Sequence, residues 1–342
     1  MSKKVRQAVV MVGGKGTRLL PLTETRPKII LPVADRPCLW YLLRSLARAG
    51  IEEVILACGY KSEQMKDAIG DGSELGLNII YSYEDEPLGT GGAMKLVEDR
   101  LDDVFVAANG DVFASIDVAA EISRHIETGA SVTISLTPVE NPCEFGIARV
   151  EADGRITEFK EKPKPEEVFS NLINAGVYII DRSVLGYVPE KTFFDFSKDL
   201  VPRLMADGHR IQGFEISGIW MDVGRPHDLL GANLAIADSE YADAKWDVGG
   251  SDVSGRFYMG DGVELSGSKV RDSAVLAGAT VIDSELDHVL VMGDSEVKGA
   301  IVTNSILGSG CIIGKGAQVS NSVLGDGTVV PEGAEVDQQR TV

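Results

Sequence analysis

Four stretches of the sequence carry residue types suited to phosphate and sugar chemistry. The first is Gly13-Gly-Lys-Gly-Thr-Arg-Leu-Leu-Pro-Leu-Thr23, followed by Arg26-Pro-Lys-Ile-Ile-Leu-Pro-Val33. Glycines without a Cβ leave backbone N–H groups open, and such a nest cradles phosphate oxygens. Arg18 adds a planar fork of donors and Lys28 a compact point charge. No G-K-[ST] closes the loop, and its spacing is not that of the dinucleotide fingerprint. Alone, the loop also reads as a tight turn; two cations at set distances favour an anion site.

The second stretch is Asn109-Gly-Asp111, directly after a strand-like run, and the third is Trp220-Met-Asp-Val-Gly-Arg-Pro226. Asp111 alone also reads as the cap of the next turn. Asp111 and Asp222 together, with substrate phosphates and water, make the usual recipe for Mg²⁺, which needs no all-protein cage. The fourth stretch is Glu161-Lys162-Pro163, with Asn174-Ala-Gly176 shortly after. Glu accepts from sugar hydroxyls and Lys holds a sugar phosphate, although such a pair taken alone reads as surface charge.

These residues need a frame, and the chain supplies two kinds. Over about 235 residues strand-like and helix-like segments alternate. Strands are expected at Ala8–Val12, Glu53–Cys58, Leu77–Tyr83, Val104–Ala108 and Ala130–Leu136. Helices are expected at Cys38–Ala49, near Lys61–Ile69, and at Gly92–Glu98, Ile116–Thr128 and Pro226–Ala237. That order implies an α/β domain with a mostly parallel sheet, which binds ligands at the carboxyl ends of its strands. After about Gly250 helical periodicity stops. Small residues recur at Gly260, Ala277, Gly293, Gly308 and Gly325, and aliphatics often recur every six, as at Leu307, Ile313 and Val319. Thr303–Gly310 and Ser320–Gly327 nearly superimpose. This is the pattern of a parallel β-helix of about five coils; a turn-rich β-sandwich is the other reading. The division expected is residues 1–240 and 252–337.

Composition narrows the function. The chain has 342 residues, with 33 Lys and Arg against 52 Asp and Glu, a net charge of −19. So acidic a chain repels the nucleic-acid backbone, and an anionic substrate must be held by a few local cations and amides. No apolar run approaches the roughly 20 residues that span a bilayer. Cys38, Cys58, Cys143 and Cys311 are scattered, without a C-x-x-C pair, which fits a reducing cytoplasm. No membrane or nucleic-acid partner is expected.

Taken in chain order, the Gly-rich opening, Gly110-Asp111, Glu161-Lys162-Pro163, Asn174-Ala-Gly176 and Trp220–Pro226 resemble the sugar-1-phosphate nucleotidyltransferase family, also called nucleoside-diphosphate-sugar pyrophosphorylases. The resemblance covers nearly the whole chain, because many members carry a C-terminal left-handed β-helix. One departure is Val12, where Ala commonly precedes the double glycine. The resemblance implies a Rossmann-like nucleotidyltransferase domain that joins an NTP to a sugar-1-phosphate with release of pyrophosphate. It implies that Gly13, Gly14, Gly16 and Thr17 line the nucleotide phosphates and that Arg18 holds the β- and γ-phosphates. Lys28 would neutralise the α-phosphoryl group, and Asp111 and Asp222 would be Mg²⁺ ligands. Glu161 would read sugar hydroxyls and Lys162 the sugar phosphate, with Asn174, Gly176 and Gly146 around the sugar. Gly89, Thr90 and Asn109 would join the nucleotide side.

The loop Ser82-Tyr-Glu-Asp-Glu-Pro-Leu-Gly-Thr-Gly-Gly-Ala93 looks most like that of the guanylyltransferases acting on mannose-1-phosphate. Glu84 or Asp85 would accept from the guanine N1–H and amine, although uridylyltransferases can carry similar loops. UTP or dTTP with glucose-1-phosphate is the alternative. A catalytically silent regulatory subunit would have a degraded opening loop, whereas Arg18, Lys28, Asp111 and Asp222 are all present. An acyltransferase would need His288, the lone histidine of the β-helix, as base. The β-helix is instead expected to pair copies into a homo-oligomer, so trimming the chain after Gly250 should change assembly more than chemistry.

Overall fold

The computed structural model describes residues 4–14, 16–58, 62–84 and 86–341. Lys15 of the Gly-rich loop, Lys61 at the expected start of the second helix, and Asp85 lie outside them. Two compact units are present: Met1–Gly14 with Leu39–Trp220, and Lys15–Cys38 with Met221–Val342. The units are therefore not the two sequence halves. The segment carrying Arg18 and Lys28 belongs with the C-terminal residues.

The first unit is built on a nine-stranded sheet. Its central path runs Ile156–Glu161, Gly146–Val150, Leu172–Asp181, Val104–Asn109, Gln7–Val12, Glu53–Cys58, Asn78–Tyr83, with Val132–Pro138 and Ile211–Glu215 branching from Leu172–Asp181. The inner strands are continuous aliphatic runs: Ala8–Val10, Val54–Leu56 and Phe105–Ala108 are all fully buried. Such runs mark strands covered on both faces. Gln7–Val12 pairs in parallel with Glu53–Cys58 on one side and Val104–Asn109 on the other. Beyond that the sheet is mixed, because Leu172–Asp181 runs antiparallel to its neighbours. Three of these strands, Gly146–Val150, Ile156–Glu161 and Leu172–Asp181, were not picked out in the sequence; they bring Gly146, Glu161, Asn174 and Gly176 into the sheet.

Helix Cys38–Arg48 places Leu39, Leu42, Leu43 and Leu46 on one buried face, the spacing of an amphipathic helix. Several boundaries differ from expectation; the last helix runs Pro226–Glu240 and one strand Val132–Pro138. Ile116 ends a strand, Val112–Ile116, and the helix begins at Val118 because the Asp117 side chain caps it, accepting from the Ala120 N–H at 3.1 Å. The helix expected at Gly92–Glu98 runs Gly89–Leu96, three residues earlier at its start.

The second unit is dominated by a parallel β-helix. Asp252, Lys269, Glu285, Ile301, Gln318 and Glu335 occupy equivalent places on successive coils. Val270, Leu286, Val302 and Val319 stack inside, as do Val281, Val297, Ile313 and Val330. One corner is a ladder of left-handed residues, Asp272, His288, Asn304, Asn321 and Gln338, with φ of 43–55°. His288 thus occupies a turn position in a repeating series, its Nδ1 2.7 Å from Asp287 Oδ1. Buried serines tie the coils together: Ser268 Oγ accepts from Ser284 N at 3.1 Å, and Ser284 Oγ accepts from Ala300 N at 3.2 Å.

Candidate active site

In the second unit the loop residues converge on one carboxylate. Gly16 adopts φ 59° and is followed by the tight turn Thr17–Leu19, which leaves Thr17 and Arg18 exposed. A Cβ on Gly16 would stand 3.1 Å from both Lys28 Cβ and Thr23 Cγ2, so this glycine permits the loop to close on Lys28. The Thr23 hydroxyl donates to Gly16 O at 2.9 Å. Lys28 is 92% buried by area, its side chain kept in place by the turn Lys28–Ile30 whose Ile29 is core. Its Nζ donates to Asp222 Oδ1 at 3.4 Å, and Arg18 Nη2 lies 3.8 Å from Asp222 Oδ2. Gly224 lets these groups approach, since a Cβ there would be 2.9 Å from Arg18 Nη2 and 3.1 Å from Asp222 Oδ2. Two cations thus flank one carboxylate.

In the first unit Gly13 and Gly14 follow the strand Gln7–Val12, and a Cβ on either would meet nothing within 4 Å. Their faces are open for a ligand. Next to that strand, Gly110 N donates to Met11 O at 2.8 Å, and Val12 would block any Cβ on Gly110 at 2.6 Å. Gly110 therefore fixes the turn that carries Asn109 and Asp111. Asn109 Oδ1 is buried with no hydrogen-bond partner among the described residues.

The Asn174-Ala-Gly176 motif is a β-bulge. The register of Leu172–Asp181 against Val132–Pro138 slips between Asn174 and Tyr178, and Gly176 takes φ 77°. A Cβ on Gly176 would press on Asn109 Nδ2 at 2.8 Å, so the bulge sits against Asn109. Asn174 is locked: Oδ1 accepts from Gly176 N at 2.9 Å, while Nδ2 donates to Tyr178 Oη at 3.0 Å and Ser197 Oγ at 3.1 Å. Gly146 lies beside Glu161, with room for a Cβ only 2.6 Å from Glu161 Oε2. Burial, followed by the nearby Asp195, holds the Glu161 carboxyl above its ordinary range; Lys162 and Lys198 pull the other way. Lys162 is exposed with φ 47°, its N–H bonded to Phe145 O at 2.9 Å.

The remaining three predicted residues serve the loop after Asn78–Tyr83. Glu84 Oε2 accepts from Leu88 N at 3.1 Å. Gly89 (φ 72°) lies against Phe194 O, and Thr90 Oγ1 accepts from Phe196 N at 2.8 Å. Thr90 and Gly89 thus dock this loop onto the segment at 193–196. Sequence reasoning missed Asp195, Ser197 and Lys198, which lie in a segment without a motif, and Tyr178, which follows the Asn174–Gly176 motif on the same strand. It also gave Trp220 no role, although its Nε1 donates to Ala175 O at 2.7 Å and steadies the bulge.

Among the described residues no group of three or more His, Cys, Asp or Glu forms a metal cage, and no helix is long and apolar enough to cross a membrane. The side chains on offer are two cations beside one carboxylate, and a partly buried carboxyl at Glu161.

A family model for nucleotidyl transferases matches residues 7–239, and one for the GlmU-like C-terminal hexapeptide matches residues 256–341. A mannose-1-phosphate guanylyltransferase of Mycobacterium tuberculosis is 35% identical over 309 residues, 90% of this chain and 82% of that protein. A UTP–glucose-1-phosphate uridylyltransferase of Synechocystis is 29% identical, over 88% of this chain and 82% of that one. The structure of a putative glucose-1-phosphate thymidylyltransferase from Bacillus anthracis aligns with a TM-score of 0.61 at 26% identity, covering 67% of this chain and 94% of that one.

Proposed function

The chain belongs to the sugar-1-phosphate nucleotidyltransferase family, and on that premise we propose that it transfers a guanylyl group from GTP to mannose-1-phosphate, yielding GDP-mannose and pyrophosphate. The observation that carries the choice of substrates is the 35% identity, across 90% of this chain, to a protein named for that reaction. Glu84 supports it: the Leu88 N–H orients its carboxylate, a type of acceptor that pairs with the guanine N1–H and amine. UTP or dTTP with glucose-1-phosphate is the second reading, favoured by the uridylyltransferase and thymidylyltransferase relatives.

In this reaction an oxygen of the sugar-1-phosphate attacks the α-phosphorus of the nucleotide in line. A new O–P bond forms, the bond to the β-phosphate oxygen breaks, and pyrophosphate leaves with the electron pair. The nucleophile is already an anion, so no general base is required. The protein contributes position and charge neutralisation. Lys28 neutralises the α-phosphoryl group and Arg18 the departing phosphates, while the amides of Gly13, Gly14, Gly16 and Thr17 cradle the chain of phosphates. Asn109, with its unsatisfied Oδ1, serves the nucleotide side. Glu161, Lys162, Asn174, Gly176 and Gly146 serve the sugar phosphate.

Asp111 and Asp222 are the proposed carboxylates for Mg²⁺. The donor set fits: both offer hard oxygens, and Asp222 meets its cations at 3.4 and 3.8 Å rather than in a short bidentate pair. An ion held by one or two carboxylates and by substrate phosphates needs no protein cage. When bound it supplies further neutralisation of phosphate charge. A cytoplasmic setting and pairing of copies through the β-helix complete the proposal. Ile301, Ile312 and Val329 expose 44–62% of their area on its outer rows, and light scattering of the purified chain reads the oligomer directly.

The deciding experiment is pyrophosphate release with Mg²⁺ across GTP, UTP, dTTP, ATP and CTP against mannose-, glucose-, galactose- and N-acetylglucosamine-1-phosphate. A dominant GTP–mannose-1-phosphate combination is expected. A dominant UTP or dTTP combination replaces the substrate assignment and keeps the chemistry. No release from folded protein turns the reading to a silent subunit that binds nucleotide-sugars.

A further inference from the structure

The β-helix touches the loop that carries Lys28 through partly buried, charge-bearing contacts. Asp326 lies at a corner between Gly325 and Gly327, on the coil that follows Ser309. Its Oδ1 accepts from Ser309 N at 2.8 Å, which fixes the carboxylate against the preceding coil. Its Oδ2 accepts from Arg26 Nη2 at 2.5 Å and from Thr25 Oγ1 at 2.7 Å. Arg26 Nη2 also donates to Ser309 Oγ at 3.3 Å. The Arg26 and Asp326 side chains are only 27% and 18% exposed, so this pair is screened far less than a surface bridge.

Arg26 is two residues from Lys28, and the intervening Pro27 holds φ at −65°. Lys28 then enters its turn at once, with Ile29 and Leu31 in the core. A shift of Arg26 is therefore transmitted to Lys28 with little slack. The far end of the same segment is tied as well. Ala34 and Asp35 form a tight turn with φ of 45° and 60°. Asp35 Oδ1 accepts from Ala277 N at 2.9 Å and its Oδ2 from Tyr258 Oη at 3.1 Å, both on the β-helix. Between these two tethers lie Lys28 and the residues that aim it at Asp222.

We propose that Asp326 of the β-helix is a positioning residue for the transfer reaction, acting through Arg26 to hold Lys28 where the α-phosphoryl group is neutralised. The proposal rests on the role assigned to Lys28 above. It gives the repeat domain a part in chemistry separate from assembly: its coil corner is one wall of the reactive loop. A carboxylate suits the task because it accepts from a guanidinium, a hydroxyl and a backbone amide at once.

The test is steady-state kinetics on full-length variants. Asp326→Ala and Arg26→Ala are each expected to lower kcat about 10–100-fold, the scale of a misplacement of roughly 1 Å at a reacting centre. The KM values should change less than threefold. The double variant should be no worse than either single one, because both remove the same tether. Asp326→Asn, which keeps the acceptor for Ser309 N, should retain the fold and an intermediate kcat. Asp337→Ala is the control. Asp337 accepts from Ser320 Oγ at 2.7 Å and Asn321 Nδ2 at 3.0 Å on a neighbouring coil, without an observed bond to the loop. It should reduce thermal stability and leave kcat within twofold. A kcat for Asp326→Ala equal to that of Asp337→Ala overturns the proposal, as do multiplicative losses in the double variant. Lys28→Ala, measured alongside, separates the two failures: undiminished turnover there removes the role of Lys28 itself.

Discussion

In the nine-stranded sheet, hydrogen-bonded neighbours come from far along the chain, whereas in the β-helix they come from sixteen or seventeen residues away. Ala8 lies between Val54 and Val106, while Ile301 lies between Glu285 and Gln318. The consequence is a different division of labour. The sheet buries aliphatic runs and breaks register at two places, one of them the Asn174–Gly176 bulge that carries the proposed sugar-side residues. The β-helix repeats one set of contacts from coil to coil, and single polar side chains on it hold another segment. Asp326 at a turn and Tyr258 on a strand do so for the loop that carries Lys28. Regularity here is a scaffold for a loop that has none of its own.

The largest break in that comparison should come from the loop itself. Lys28→Ala is expected to lower kcat at least about 10³-fold, since it removes a charge aimed at the reacting phosphoryl group. Circular dichroism should remain that of the folded protein. Near-normal turnover would remove the site assignment. The Asp326 variants described above should come next, and they distinguish a scaffold from a bystander.

A third variant tests the scaffold alone. Ser284→Ala leaves Ala300 N without its buried acceptor and should cost about 1–3 kcal/mol. Turnover at low temperature should be unchanged. A variant with an unaltered denaturation midpoint would show that the serine ladder is dispensable.

The smallest effect on turnover, none, is expected in the sheet unit at Glu121. This residue is fully buried, Ser135 Oγ donates to its Oε2 at 2.6 Å, and its Oε1 has no partner among the described residues. Burial pushes its carboxyl up to about 8. Between pH 4.5 and 8 the unfolded chain ionises this group and the folded one keeps its proton. The group's contribution to stability therefore falls as pH rises through that window and is level on either side. Glu121→Gln should remove that slope from urea denaturation midpoints; identical slopes in the two proteins would show that the group ionises normally.

The same contrast governs what can be read without coordinates. The β-helix was legible because its period repeats locally. The parallel strands Gln7–Val12 and Glu53–Cys58 were legible because they are unbroken aliphatic runs. The strands Ile156–Glu161 and Leu172–Asp181 were not, because their ends mix Glu, Lys and Asn with apolar residues and their partners are distant. Glu121 was hidden for a related reason: on a helix with the right apolar spacing a carboxylate reads as solvent-facing.

Asp326 and Asp35 tie the loop to the coils, and the variants above test whether trimming the chain after Gly250 changes assembly more than chemistry. Those contacts span 300 and 242 residues, and no local pattern announces them. The sequence by itself determined the chemistry on offer: a glycine-rich anion nest, two cations, two carboxylates and a repeat that must stack. Residue type and short spacing suffice for that, because they set charge, donor geometry and backbone freedom. Only the tertiary structure decided which coil holds the reactive loop and which carboxylate faces Lys28. Those depend on long-range packing, in which a side chain's partner is set by where the core places it rather than by its neighbours in the chain.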